Sequence, residues 1–239
     1  MRSFAGCYAD RFTSLELYAP GPFLRELSQQ VGSFSPRLDR DLADLRVWDG
    51  GEPESAPPLE QGTRRAALLH GGGHLTPVQL LEAHPEASVL LYAGTLLSAT
   101  SVWAAALPVG RLYAIGGRTY TREQRDVLRD QQRLLPLAEV SPRLATRSAL
   151  SESGDSPLFV VVDLAVLEPS LLGSQHPLAS GGATLGGLRE ALEAIPGERV
   201  VGFEIGGLPA PIEENLLAAL TAAELLRDNI LTWWGTPGA

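Results

Sequence analysis

Short apolar runs alternate with amphipathic stretches along most of the chain. The runs are rich in Val, Leu, Ile, Ala and Phe, and their length is typical of strands buried on both faces of a parallel sheet. They predict strands at SFAGC (3–7), RAALLH (65–70), SVLLYA (88–93), RLYAIG (111–116), LFVVVDL (158–164) and RVVGFEI (199–205). Strands that alternate with helices in this way predict an α/β fold built from βαβ units.

The stretches between these runs carry apolar residues at helical spacing. They predict helices at PGPFLRELSQQV (20–31), TPVQLLEAH (76–84), LLSATSVWAAAL (96–107), TREQRDVLRDQQRLL (121–135), TLGGLREALEAI (184–195) and IEENLLAALTAAELLRDNIL (212–231). Two segments rich in Pro, Gly, Ser and acidic residues, 49–62 and 151–157, are predicted to be surface loops. The sequence contains no internal repeat, and we expect a single domain over residues 1–239.

Polar or glycine-rich segments follow several of the predicted strands. FVVVDLAVLEP (159–169) indicates a buried strand that ends at Asp163, and ligands in open α/β sheets bind at this end of the strands. Other strands lead into HGGGH (70–74), YAGTL (92–96) and EIGGLP (204–209). The carboxyl edge of the sheet is therefore where a site is expected.

Composition narrows the chemistry and the partners. The net charge is −9 and the pI is about 5.0, so a nucleic-acid partner, which needs a basic face, is not expected. All 19 cationic residues are Arg, which excludes lysine Schiff-base chemistry. Cys7 is the only cysteine, so an intramolecular disulfide or a thiolate zinc cluster is excluded. Neither a signal peptide nor an apolar run near the ~18 residues of a membrane span is visible, and we expect a cytoplasmic protein without a membrane partner.

Five segments, in this order along the chain, resemble motifs of the ureohydrolase family, which includes arginase, agmatinase and formiminoglutamase. They are YADRFTSLELYAPGPFLRE (8–26), LLHGGGHLTPVQLL (68–81), DLAVLEPSLLGSQHPLASGGAT (163–184), GFEIGGLPAP (202–211) and AAELLRDNIL (222–231). The third aligns without a gap on the family pattern DxDxLDPxxxPGTGTPxPGGLT, and the fourth is similar to GFDIVEVNP. The resemblance implies the arginase–deacetylase fold, a three-layer αβα domain with a mainly parallel sheet.

The resemblance also implies a reaction and a cofactor. The family uses a pair of Mn²⁺ ions with a bridging hydroxide, which attacks a guanidinium carbon and releases urea. Two metals lower the pKa of bound water enough to make hydroxide available near neutral pH. The implied ligands are four carboxylates and two histidines at strand ends, a donor set that suits manganese. Of these positions, His74 and Asp163 keep a ligand residue in this sequence.

The other implied ligand positions have lost their carboxylate or imidazole. They hold Tyr92, Gly94, Leu96 and Ala165. Gly207 stands at the family's guanidinium-binding glutamate, and the segment 98–107, which aligns with a loop that carries a catalytic histidine, has none. We therefore expect a degenerate member with no catalytic residue and no metal, in which His74 and Asp163 are vestigial ligand positions.

The retained polar residues also have structural or alternative functional interpretations. Asp163 can cap the turn after its strand, and His74 can be a hydrogen-bonded residue at a strand-to-helix turn. Glu204 and Asp163 could form a surviving acid–base pair, and His176 could join Glu204 in a rebuilt site. His84, like His70, is expected at the surface or in a turn.

These features favour a pseudoenzyme that acts as a structural or regulatory subunit. The resemblance implies a homo-oligomer, trimer or hexamer, or a hetero-oligomer with a catalytic ureohydrolase paralogue. Trp233 and Trp234, beyond the last predicted helix, either pack on the domain or anchor such an interface. Two other functions stay open: hydrolysis of C–N bonds in guanidino or amidine compounds by a rebuilt site, and small-molecule binding in the old cleft.

Overall fold

A parallel sheet is the centre of the computed structural model. The structure describes residues 30–42, 45, 84–95, 110–123, 125–126, 134–137, 140–172, 181–208 and 215–235, and the backbone of 15–18, 47–51 and 65–69. In chain order the strands are β1 (Leu15–Tyr18), β2 (Phe34–Ser35), β3 (Arg40–Asp41), β4 (Val47–Gly51), β5 (Arg65–Leu69), β6 (Ser88–Thr95), β7 (Leu112–Thr119), β8 (Leu134–Pro136), β9 (Leu158–Asp163) and β10 (Val200–Gly206). The sheet has the order β4-β1-β5-β10-β9-β6-β7-β8 with parallel neighbours throughout, while β2 and β3 form a separate antiparallel pair.

Three α-helices in the described part of the chain pack on one face of the sheet. They are α1 (Pro142–Glu152), α2 (Leu185–Glu193) and α3 (Leu216–Trp234). Ser141 Oγ caps α1 by accepting a hydrogen bond from Leu144 N at 3.4 Å. Thr184 Oγ1 caps α2 by accepting one from Gly187 N at 3.0 Å. Because α1 and α2 lead back to parallel strands and α3 follows the last one, all three helix N-termini lie at the carboxyl edge of the sheet.

The central strands are buried on both faces. Alternate residues of β6, β7 and β9 pack with the helices in one apolar core. Residues that point to the opposite face are equally inaccessible: Val89, Phe159 and Val161 are at most 1% exposed. Burial on both sides is typical of a parallel sheet that is covered by two layers.

The two tryptophans at the end of α3 belong to the core. Trp233 is 6% exposed, and its Nε1 donates a hydrogen bond to Leu192 O at 3.1 Å. Its ring meets that of Phe203 edge to face, with centroids 4.9 Å apart. Trp234 is 8% exposed and donates to Val200 O at 3.1 Å. Of the two interpretations of this pair, packing on the domain is confirmed, and the interface anchor stays a prediction.

A buried polar cluster attaches the segment 30–42 to α3. Asp228 is 2% exposed, with Arg37 Nε 3.1 Å from its Oδ2 and Arg227 Nη2 3.0 Å from its Oδ1. Burial alone would raise the pKa of Asp228. Hydrogen bonds and positive charge from Ser35, Arg227 and Arg37 outweigh this effect, and the pKa lies below its usual value.

Most predicted elements within the described residues are confirmed, with three corrections at their ends. Seven predicted elements are present, with ends that differ by a few residues. They are the strands 65–70, 88–93, 111–116, 158–164 and 199–205 and the helices 184–195 and 212–231. The helix predicted over 121–135 is wrong at its end, because Leu134–Pro136 form β8. The loop predicted over 49–62 is wrong at its start, because β4 extends to Gly51. The loop predicted over 151–157 is also wrong at its start, because α1 extends to Glu152.

Helix α1 and strands β1, β4 and β8 are absent from the predicted elements. The first turn of α1 has the Ser-Pro start that is typical of helices, but its buried face consists of small residues, Ala145, Thr146 and Ala149. Leu144 on the same helix is 58% exposed, so the hydrophobic spacing is weak. The predicted strand 3–7 and helix 96–107 lie outside the described residues, as do all but the last positions of helices 20–31 and 76–84. Within the described residues, none of the helices combines the length and apolar character needed to cross a bilayer.

Candidate functional site

The candidate site lies where β6, β7, β9 and β10 end at the carboxyl edge of the sheet. Gly94 comes from β6, Arg118 from β7 and Asp163 from β9, while Gly207 follows β10. The side chain of Arg118 closely approaches Gly94, and that of Asp163 closely approaches Gly207. The two pairs are joined by Ala165, which contacts Gly94, Arg118 and Asp163.

Asp163 caps the turn that follows β9. Its side chain is buried, and Oδ1 accepts a hydrogen bond from Ala165 N at 2.8 Å at the start of the 3₁₀ turn Leu164–Val166. The structural interpretation of Asp163 as a capping residue is therefore confirmed. Its identity as a vestigial ligand position stays a prediction.

Position 207 has no room for a side chain. Gly207 has a φ of +72°, a conformation that residues with a Cβ rarely adopt, and a Cβ there would lie 2.0 Å from Asp163 Oδ1. The glutamate that the resemblance implies for guanidinium binding could enter only if Asp163 moved and the backbone changed.

Position 94 is closed in the same way. A Cβ on Gly94 would lie 1.9 Å from the carbonyl oxygen of Ala165 and 2.7 Å from Nη2 of Arg118. The resemblance implies a histidine ligand at this position. The backbone of Ala165 and the guanidinium of Arg118 occupy the space next to the Gly94 Cα, where the side chain of a histidine would begin.

Arg118 places a cation inside the site. Its Nη2 donates hydrogen bonds to Ala165 O and, at 3.1 Å, to Leu167 O. Burial lowers the pKa of the guanidinium, and the nearby carboxylates of Glu168 and Asp163 act in the opposite direction. Because an arginine keeps its proton in proteins, the site carries a fixed positive charge of its own.

Glu168 and Gly182 complete the wall beside this arginine. Gly182 N donates to Glu168 Oε1 at 2.8 Å. The backbone of Ala183 continues the contact, since it accepts from Glu168 N at 3.0 Å and donates to Val166 O at 2.9 Å. A Cβ on Gly182 would lie 2.4 Å from the carbonyl of Leu167, so this segment is packed directly against the chain that follows β9.

Tyr92 points to α1 and not to the other site residues. Its hydroxyl lies 2.7 Å from Thr146 Oγ1, which in turn donates to Pro142 O at 2.8 Å, so Tyr92 is the donor of the first bond. The side chain is fully buried, and burial raises the pKa of Tyr92 well above its usual value. The side chain at this implied ligand position is part of the core.

Glu204 lies within β10, before the end of the strand. It is 0% exposed and pairs in register with Leu68 and Val161, whereas Asp163 pairs with Gly206. Residues two apart in a strand share a face, so Glu204 and Asp163 lie on the same side of the sheet. This placement is compatible with the predicted acid–base pair, whose function stays a prediction.

The remaining candidate residues fall into two groups. His70, His74, Leu96 and His176 lie outside the described residues, so their roles stay predictions. Ala165 is 4% exposed and takes part in the site through its backbone N and O. His84 lies before the turn that precedes β6, as expected, with Nδ1 3.8 Å from Glu86 Oε1.

Arg118 is absent from the sequence prediction, although the rule that selected Asp163 also applies to it. It is a charged residue just beyond a buried apolar run, and it follows the pair Gly116 and Gly117. Both glycines have positive φ, and a Cβ on Gly116 would lie 2.3 Å from Ala93 O. The glycine pair lets the end of β7 approach β6 and precedes an arginine that reaches the 3₁₀ turn after β9.

Comparison with known proteins decides the family. The sequence profile of the arginase family matches residues 45–232. The chain belongs to the arginase family. This arginase-family chain is 26% identical over 250 residues to the agmatinase of Bacillus subtilis, an alignment that covers 87% of the chain and 82% of the agmatinase. It is 28% identical over 102 residues to the N(omega)-hydroxy-L-arginine amidinohydrolase of Streptomyces lavendulae, over 42% of the chain and 36% of that protein. The resemblance to ureohydrolases is confirmed.

Solved structures with the same fold extend over nearly the whole arginase-family chain. The formiminoglutamase of Trypanosoma cruzi, solved with Mn²⁺, superposes with a TM-score of 0.75 at 16% identity and covers 99% of both chains. The proclavaminate amidino hydrolase of Streptomyces clavuligerus gives a TM-score of 0.75 at 14% identity, over 98% of this chain and 97% of that one. The predicted three-layer αβα arrangement with a parallel sheet is confirmed.

The described residues at the implied ligand positions do not fit a manganese pair. Gly94 has no space for a ligand, Tyr92 faces the core, and Arg118 introduces a cation. Manganese favours carboxylate oxygens and imidazole, and a guanidinium repels it. Across the described part of the chain, no three His, Cys, Asp or Glu residues are grouped so that they could hold a metal ion.

Proposed function

We propose that this chain is a non-catalytic member of the arginase family that acts as a structural or regulatory subunit. The observation that carries the proposal is the closure of position 94, where the carbonyl of Ala165 would lie 1.9 Å from any Cβ. A ligand lost by a surface substitution could be regained by a single change. Here the backbone of Ala165 and the guanidinium of Arg118 occupy the space, so a side chain at position 94 would also require these groups to shift.

The described edge offers no replacement for a metal-bound nucleophile. Asp163 accepts a hydrogen bond from Ala165 N, and Arg118 carries a proton that it does not release. Arg118 therefore cannot accept a proton from water, and Asp163 Oδ1 is engaged in capping the turn after β9. Gly207 supplies no carboxylate to hold a guanidinium, and its conformation and contact with Asp163 oppose one.

The purified protein should contain no stoichiometric manganese and should not hydrolyse agmatine, arginine or formiminoglutamate. Elemental analysis after incubation with Mn²⁺ and removal of free metal measures the first, and release of urea or formamide the second. The agmatinase of Bacillus subtilis, treated identically, is the matched control for agmatine. About two Mn²⁺ per chain, as two-metal hydrolases require, or urea release that Asp163→Asn abolishes, would contradict the proposal.

A hydrolase of C–N bonds with a rebuilt site is the second candidate, and Glu204 is the observation that favours it. A fully buried carboxylate on the same face as Asp163 is an unusual core residue and a possible proton acceptor. The substrate assay therefore includes Glu204→Gln. Hydrolysis by the wild-type protein that this variant lacks, without any need for Mn²⁺, would favour the second function over the first.

The proposed subunit role requires a partner, and we assign it to a second arginase-family chain in the cytoplasm, either another copy or a catalytic paralogue. Exposed leucines at the carboxyl edge support this assignment. Leu144 in the first turn of α1 is 58% exposed, and Leu216 and Leu217 in the first turn of α3 are 46% and 63% exposed. Large exposed apolar side chains at one end of a helical layer are a feature of association surfaces.

Light scattering at micromolar concentration should give a mass above that of the monomer, either alone or after co-expression with an intact ureohydrolase. Leu144→Ser with Leu217→Ser should lower this mass, because polar side chains reduce the apolar area available for association. Phe34→Ser is the matched control, since Phe34 is 46% exposed but lies on β2, in the segment that contacts Asp228 and Leu231 in the second half of α3. A monomer in both preparations would remove the association hypothesis.

A further inference from the structure

We infer that Arg118 is the internal counter-cation of this edge: its guanidinium binds the chain after β9 and balances the carboxylates of Asp163 and Glu168, in place of a bound metal. This inference rests on the proposed absence of a metal pair from the wild-type protein. It assigns a function to a residue that lies outside every motif of the family resemblance.

The contacts of Arg118 bridge two separate parts of the chain. Arg118 follows the apolar part of β7, and its Nη2 donates to Ala165 O and Leu167 O, which lie beyond the end of β9. β7 and β9 are not neighbours in the sheet, because β6 lies between them. One side chain therefore crosses above β6 and fixes the turn that carries Asp163 and Glu168.

The position above β6 is available to this side chain because residue 94 is glycine. Nη2 of Arg118 lies 2.7 Å from the place where a Cβ on Gly94 would be. Any other residue at 94 would displace the guanidinium or the turn. Arg118 can therefore occupy this position only because the implied histidine is absent from position 94.

The two carboxylates near Arg118 are held in place by backbone amides. Asp163 Oδ1 accepts from Ala165 N at 2.8 Å, and Glu168 Oε1 accepts from Gly182 N at 2.8 Å. Both carboxylates act on the guanidinium electrostatically. Because each carboxylate is held by a backbone amide, removing the arginine would leave both negative charges without the cation that acts on each of them.

An arginine with only a surface role would neither bind the carbonyls of a distant turn nor lie near two carboxylates that are held in place. Arg125 provides the comparison, since it is 39% exposed in its side chain and pairs only with the adjacent Asp126, at 2.9 Å, among the contacts described for it outside the helix backbone. It is also seven residues further along the chain. Arg125→Met therefore removes the same charge without touching the edge.

The test compares thermal unfolding of the wild type, Arg118→Met, Arg118→Lys and Arg125→Met, each with EDTA and with about 10 mM Mn²⁺ or Ca²⁺. Arg118→Met should lower Tm by roughly 5 °C or more, because two charge-assisted hydrogen bonds are lost, while Arg125→Met should change it by less than about 2 °C. Arg118→Lys keeps the positive charge but loses the planar guanidinium with its several N–H donors, so its Tm should lie between those of Arg118→Met and Arg125→Met.

The change in Tm on adding a divalent ion tests whether Arg118 acts through its charge or only through its hydrogen bonds to the turn after β9. Arg118→Met should gain roughly 3 °C in Tm with the divalent ion, because the carboxylates of Asp163 and Glu168 then bind it, and the wild type should gain none. Adding Asp163→Asn, which keeps the acceptor for Ala165 N, should remove that response. If Arg118→Met does not fold without the ion, recovery on adding Mn²⁺ gives the same answer.

Three results would overturn the inference. They are an unchanged Tm for Arg118→Met, a lowered Tm with no gain from either ion, and a gain that persists when Asp163→Asn is added. Stoichiometric Mn²⁺ in the wild-type protein is a different result, since it would defeat the proposed function itself. The two failures can therefore be told apart on the same set of samples.

Discussion

Gly94→Ala should lower the free energy of unfolding by roughly 3 kcal/mol, the upper end of the range expected when a buried position is overpacked. The added methyl would lie 1.9 Å from Ala165 O, and backbone atoms cannot turn aside as the end of a side chain can. Gly94→His, which restores the residue implied by the family, should be at least as destabilising and should not restore metal binding. Urea unfolding followed by circular dichroism measures both variants.

Gly186→Ala is the matched control for this experiment. Gly186 lies in the first turn of α2 with no atom within 4 Å of a Cβ, and alanine is favoured over glycine in helices by up to about 1 kcal/mol. We therefore expect equal or higher stability for Gly186→Ala. A Gly94→Ala variant as stable as the wild type would mean that the turn after β9 yields readily, and would remove the main support for a site closed by its own backbone.

Trp233→Ala should cost roughly 3–5 kcal/mol of folding free energy, the usual range for truncating a buried tryptophan. The indole packs edge to face on Phe203 at 4.9 Å between centroids, and its Nε1 donates to Leu192 O at 3.1 Å. Truncation therefore leaves a cavity and removes one hydrogen bond, while Leu192 O still accepts from Ile195 N at 3.1 Å. Trp233→Phe keeps most of the apolar contact and should lose only about 1–2 kcal/mol.

Thr232→Ala tests the same turn of α3 without the core contact. Thr232 makes one side-chain bond to Asp228 O at 2.8 Å, within its own helix, and its removal should cost less than about 1 kcal/mol. Chemical denaturation is the measurement for all three variants. A Trp233→Ala protein that dissociates but keeps its folding stability would return this residue to the role of interface anchor.

The fold could be predicted from the sequence because the clearest hydrophobic pattern belongs to the most buried strands. Strands such as β9 are apolar at every position up to Asp163, and such a run is typical of a parallel sheet covered on both faces. Elements of weaker pattern escape the same reasoning. α1 buries Ala145, Thr146 and Ala149 and exposes Leu144, so its apolar stripe is made of residues that also occur on surfaces.

The site could be predicted in one respect and not in another. The positions that lost their implied ligands were visible from Tyr92, Gly94 and Ala165 in the sequence itself. What replaced those ligands was not, since the contact between Arg118 and Ala165 joins residues 47 positions apart. A missing side chain can be read from one position, but the group that fills its space depends on the fold of several strands together.

The position of β10 in the sheet determines how late in synthesis the sheet can form completely. β10 is the last of the described strands along the chain, yet it lies between β5 and β9 and is the ladder that unites β4-β1-β5 with β9-β6-β7-β8. Until Val200–Gly206 have left the ribosome, the two groups of strands share no hydrogen bonds through the sheet, and β5 and β9 each present an unpaired edge. Such long-range closure is slow, and the nascent chain spends that interval exposed to aggregation. A chain of this topology is therefore expected to depend on chaperones for longer than one whose sheet grows strand by strand in sequence order.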